Sequence, residues 1–205
     1  MKYYVIKYQH GAPGCPTALL WKDDDGGLDW DNLNPDIDSI EIKREHIAKV
    51  SNRSIDFDFF ESNDIASAEF IEIAKKYSER IKEIPVRFII AGGKKPKKDY
   101  FYIVFGDWFS MIDLNNSTFE YDRDLGSGDV IYNKYFPGMP NFDKIEKFRI
   151  DLSKDPKRDI FKSLDFFGET ICSERFMKDC FDEKIIGLEF IPIEDFQYIP
   201  FWHRD

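Results

Sequence analysis

The sequence predicts an α+β fold, a mostly antiparallel or mixed sheet with two main helices, and three observations lead there. Short runs of β-branched and aromatic residues recur from end to end, bounded by Gly, Pro, Asn and Asp. Apolar residues at helical spacing stand out in two places, about 67–83 and 173–183. The 205 residues include 20 Phe, 10 Tyr and 4 Trp. That is enough apolar volume for the core of a single domain over 1–205, or for two lobes of about 1–95 and 96–205.

Taken in order, residues 3–8 (YYVIKY) form the opening strand, 10–16 a loop, and 17–21 (TALLW) a short second strand. Residues 39–50 alternate in their first half and fit a helical turn in their second, so both readings stand there. Over 67–83, Phe70, Ala74, Tyr77 and Ile81 fall at four-, three- and four-residue steps on one helical face. Ser67 is positioned as the N-cap, Glu69 suits the positive helix start, and Pro85 marks the stop. Residues 86–91 and 100–105 then read as a hairpin across the lysine-rich 92–98, and 109–114, 130–135 and 145–152 add strands. Toward the end, 166–171 and 185–193 are strand-like and flank the second helix. There Ser173 is the N-cap, and Phe176, Cys180 and Phe181 share the apolar face. Ser-Glu-Arg occurs at both 78–80 and 173–175, either as the trace of a duplicated helix–strand unit or as coincidence in a chain rich in these residues.

Charge narrows the function classes. Twenty-nine basic against 39 acidic residues give a formal net charge of −10, which disfavours nucleic acid and anionic membranes as partners and fits a basic protein partner or simple solubility. The excess is concentrated: residues 22–64 carry thirteen acidic and five basic side chains, whereas 65–98 carry four and nine. Within the tract 21–38 (WKDDDGGLDWDNLNPDID), Asp23, Asp24, Asp25, Asp29 and Asp31 surround Trp30. A large aromatic among carboxylates suits an anchor on a partner-binding surface, although a solvated acidic loop has the same composition. The opening residues lack a signal-peptide pattern and no apolar run is long enough to span a bilayer, so a cytoplasmic location is expected. Three cysteines, Cys15, Cys172 and Cys180, do not suggest a disulfide framework.

Residues able to carry chemistry are sparse. Cys172 and Ser173 would need a base, and the histidines (His10, His46, His203) are distant in sequence. No His/Cys metal motif or calcium loop is present, no P-loop precedes a helix, and no cofactor is expected. The lysines of 94–98 suit a basic hairpin tip that keeps a sheet edge soluble.

Four separated segments carry a family resemblance: MKYYVIKY at the start, SMIDLNNSTFEY (110–121), RDIF (158–161), and the final unit 170–193 with its SERF helix start and GLEFIPI strand. Their order resembles a family of bacterial immunity proteins attached to polymorphic toxin systems. The family pattern maps onto Asp113 and Ser117, Arg158 to Phe161, Ser173 to Phe176, and Gly187, Phe190 and Pro192, while residues 22–98 are left unaligned. The resemblance implies a non-enzymatic cytoplasmic inhibitor that binds and neutralises one cognate toxin through surface complementarity. Two other readings are an enzyme or small-ligand protein using Cys172 and Ser173 with a distant histidine, and a non-enzymatic adaptor within a protein complex.

Overall fold

In the computed structural model, which describes residues 1–21, 28–33 and 36–199, the strands outnumber the helices as the composition requires. The chain runs through β1 (Tyr3–Tyr8), β2 (Leu20–Trp21), β3 (His46–Lys49), β4 (Phe59–Phe60), β5 (Ile65–Ser67), α1 (Ala68–Tyr77) and β6 (Ile81–Ile89). It continues through β7 (Tyr100–Phe105), β8 (Trp108–Phe109), β9 (Thr118–Tyr121) and β10 (Phe142–Lys147). It ends with β11 (Ile160–Ser163), β12 (Thr170–Ser173), α2 (Glu174–Asp182) and β13 (Leu188–Pro192). One sheet has the order β2-β3-β6-β7-β5-β4, another β13-β1-β12-β11-β8, and β9 pairs with β10 alone. The expected α+β class with mixed sheets holds.

The first helix is shorter than its apolar spacing suggests. It stops at Tyr77, with Ser78 in extended conformation, and Ile81 to Pro85 belong to β6. The reason is a change of period: Ile84, Val86, Phe88 and Ile90 are buried while Pro85 and Arg87 are exposed, the two-residue alternation of a half-buried strand. Pro85 is tolerated because β3 joins β6 only from Val86 onward, leaving β7 as its single neighbour at that point. In 39–50 the helical turn does not form: the second half is the parallel strand β3, held by its pairing with β6, and a 3₁₀ turn at Ile37–Ser39 lies just ahead of the segment. Of 130–135 only isolated bridges form, at Val130 and Tyr132.

The fold contains one unit twice. In the first copy β4, β5, α1, β6 and β7 follow in sequence, with β7 lying between β5 and β6. In the second, β11, β12, α2 and β13 follow in sequence, and β1 from the chain start lies between β12 and β13. The registers agree residue by residue. Tyr100 faces Ser67 as Tyr3 faces Ser173, and Phe101 faces Pro85 as Tyr4 faces Pro192. Ser67 donates its backbone N–H to the Asp58 carbonyl at 2.8 Å, and Ser173 does the same to Asp159 at 2.8 Å. Each serine hydroxyl also donates to its aspartate's carboxylate and accepts the N–H of Phe70 or Phe176, 3.2 Å away in both. The Ser-Glu-Arg triplets are not this repeat, because Ser173 opens α2 whereas Ser78 closes α1. The structural counterpart of Ser173 is Ser67.

The two helices meet at the centre. Phe70 stacks on Phe59 with ring centroids 4.7 Å apart and meets Phe176 edge-on at 5.7 Å, while the Tyr77 hydroxyl donates to Asp179. Around them Ile6, Ile103, Ile160, Cys172 and Cys180 complete a core shared by both units. Because each cap serine satisfies a helix-end donor and a buried carboxylate together, Ser67→Ala and Ser173→Ala should each cost about 1–2 kcal/mol. Denaturant unfolding would measure it, and a loss confined to one of the two serines would contradict their equivalence.

Candidate partner-binding groove

Between the two units lies a groove. The strap 28–33, the turn Glu61–Asn63, the side chains of Lys7 and Lys162 on β1 and β11, Trp108 and the turn 164–169 all contribute to its lining. Three adjoining hollows of about 350, 250 and 240 Å³ follow it and share lining residues, among them Asn32, Leu33 and Trp108. The first is walled by Trp21, Arg44, His46 and Tyr102, the second by charged groups, and the third by Leu33, Trp108, Tyr135 and Phe167.

The charged hollow sets three carboxylates against two ammonium groups. Lys7 Nζ lies 3.0 and 3.1 Å from the two Glu169 oxygens and 3.1 Å from Glu61, and Lys162 Nζ lies 2.6 Å from Asp64. Asp64 reaches this position through a left-handed backbone (φ 51°) that closes the Glu61–Asn63 turn. Burial opposes the Lys7 charge, yet Glu169 and Glu61 outweigh it and hold its pKa above the ordinary lysine value. Burial raises the carboxyls of Asp64 and Glu169. The facing lysines pull each back down, and Glu61 adds to both rises. Glu61 Oε2 is buried with no hydrogen-bond partner.

The acidic tract borders this groove. Asp23, Asp24 and Asp25 lie outside the described residues. Asp29 accepts the Lys43 backbone N–H at 3.0 Å and sits 3.6 Å from both Arg44 Nε and His46 Nε2. Trp30 is half-buried, edge-on to His46 and Tyr102 at 5.3 and 5.1 Å. Asp31 is exposed and accepts from the Leu33 N–H and the Tyr135 hydroxyl, whose bond is the main reason its carboxyl titrates below the usual range. The strap is thus pinned to the first sheet at Asp29 and Trp30, and to the 133–136 turn at Asp31.

The other sequence candidates fold into structural roles. Cys172 and Cys180 are buried among apolar side chains, which raises the Cys172 thiol well above its ordinary value and pushes Cys180 up to about 12. Ser173 Oγ is engaged by Asp159 and the start of α2. His10 packs on Tyr8, and His203 lies outside the described residues. Among the described residues no cluster of His, Cys, Asp and Glu could hold a metal ion, and no helix is long and apolar enough to cross a membrane. Lys98 extends from the lysine-rich connection to Asp58 at 2.9 Å and Asp56 at 3.1 Å. The resemblance motifs are architectural too. Asp113 organises the turn to Ser117, Asp159 holds Ser173, and Gly187 (φ 84°) has no room for a Cβ, which would meet Cys15 Sγ at 2.6 Å.

Sequence reasoning missed Lys7, Glu61, Asp64, Lys162, Glu169, Trp108 and Phe167. A signal was present for two of them: Lys7 and Lys162 are single charges inside otherwise apolar or aromatic strands. A lone ammonium on a buried strand face requires a carboxylate from elsewhere in the fold.

The described cysteines and cap serines thus serve the core, and the groove is walled by aromatics and paired charges. The model of the family described as Immunity protein 43 matches residues 46–201, and the chain belongs to that family. The match takes in 46–98, which the short motifs leave unaligned, and begins after β1. No curated protein matches the chain closely enough to serve as a relative.

The charged hollow makes a pH prediction. With Asp64 and Glu169 raised, the folded chain holds protons there that the unfolded chain releases. Their contribution to stability therefore falls as pH rises from the ordinary carboxylate values through the raised ones. Glu61→Gln removes the third carboxylate and should lower both titration midpoints in carboxyl NMR. Unchanged midpoints would show that Glu61 does not couple to them.

Proposed function

We propose that this chain binds one cognate toxin and neutralises it by occupying its surface, without catalysis of its own. The observation that carries this reading is membership of an immunity family over residues 46–201. The partner face of the toxin is basic, because the chain carries a net charge of −10 and steering by opposite charge speeds encounter. Asp23, Asp24, Asp25, Asp29, Trp30 and Asp31 belong to the contacting surface, with Trp30 and Asp29 holding the strap and the remaining acids meeting the partner. The protein acts in the cytoplasm, with neither nucleic acid nor membrane as its partner.

Titration calorimetry against the silenced product of the neighbouring gene, at low and moderate salt, tests this reading. A tight one-to-one complex weakened by salt is expected. Reversal of Asp23, Asp24 and Asp25 to lysine should slow association about tenfold or more and flatten its salt dependence. Absence of a complex would contradict the reading, and unchanged association kinetics in the variant would remove the acidic tract from the contact.

A further inference from the structure

The turn 164–169 is held tightly and displays an aromatic ring to solvent. Ser163 donates its N–H to the Glu169 carbonyl and accepts the Gly168 N–H, both at 2.9 Å, and its hydroxyl accepts from Asp165 and Phe166. Phe166 is fully buried against Phe148 and Phe196. Phe167, the next residue, is 61% exposed and sits in the left-handed region (φ 54°), ahead of Gly168 at φ 86°. Left-handed backbone is unfavourable for a bulky residue, and an exposed ring recovers little of that cost by burial. Glycine or asparagine would suit the turn better. Strain held in place by a well-bonded turn is typical of ligand-clamping positions.

The surroundings identify the occupant. Phe167 stands on the rim shared by the apolar and the charged hollows, beside Trp108, with Leu33 of the strap 41% exposed nearby. In the charged hollow Glu61, Asp64 and Glu169 outnumber Lys7 and Lys162, and one Glu61 oxygen has no partner. The site lacks one positive charge next to exposed aromatic surface. Guanidinium meets both requirements, pairing with carboxylate and stacking on rings.

We infer that Phe167 anchors the partner in this groove, and that the partner delivers an arginine-bearing segment of a basic protein across Phe167 toward the carboxylates. The inference rests on the toxin-binding reading and specifies its contact. A rigid turn that presents its ring in advance loses little conformational freedom on binding, which is what an anchor needs.

Phe167→Gly separates fold from function, because glycine relieves the left-handed backbone while deleting the ring. The variant should melt at the same temperature as the wild type or higher, yet bind the silenced neighbouring-gene product about tenfold more weakly or worse. Phe167→Asn, which also tolerates this backbone, should behave likewise. Wild-type affinity in both variants would overturn the anchor while leaving toxin binding intact. A wild-type chain that does not bind the product would overturn both. Sedimentation of the chain alone covers the other occupant: a dimer dissolved by Phe167→Gly would assign the ring to a second copy and overturn the inference.

Discussion

Each helix starts from a serine held between its own first turn and a buried aspartate just ahead of a neighbouring strand. The rest of the structure depends on this clamp. Asp58 and Ser67, and again Asp159 and Ser173, fix the angle at which strand becomes helix. That angle brings Phe70 and Phe176 into contact across the centre. A carboxylate with no ligand to bind would be costly in such a core, and it is tolerated because hydroxyl, amide and cationic donors surround it. Asp58 also accepts the Ile186 N–H and Lys98. Asp159 takes a two-pronged bond from Arg175, at 3.1 and 2.6 Å.

Repetition of the unit also explains the groove. Glu61 follows β4 in the place that Lys162 occupies on β11, three residues beyond the clamping aspartate in each case. One copy carries acid and the other base, so neighbouring parts of the two units complement each other: Glu61 meets Lys7, and Lys162 meets Asp64. A symmetric choice would have set like charges together. The surplus carboxylate leaves the seam negative, in keeping with the acidity of the strap beside it.

Much of this was legible in the sequence, and the exceptions have physical reasons. The opening strand, the hairpin of β6 and β7, and both cap serines could be read from local pattern, because local sterics and helix-end donors decide them. The end of α1 could not, because the residues of 78–83 suit a helical face until pairing with β7 imposes a two-residue period. The repeat was hidden by its order. Its last strand comes from the chain start, and the clamp spans 9 residues in one copy and 14 in the other. The groove escaped for the same reason, since Lys7 and Glu169 are 162 positions apart. Trp30 and the acids around it were visible as composition, but their attachment to Tyr102, His46 and Tyr135 depends on the tertiary fold.

We propose that the groove between the repeated units is the face that meets the toxin. Hydrogen–deuterium exchange of the chain, alone and in complex with the silenced neighbouring-gene product, tests it most directly. Slowed exchange is expected in the strap 28–33, the segment 61–64 and the turn 164–169, with the helix faces unchanged. Protection confined to the outer faces of α1 and α2, or to β9 and β10, would contradict it.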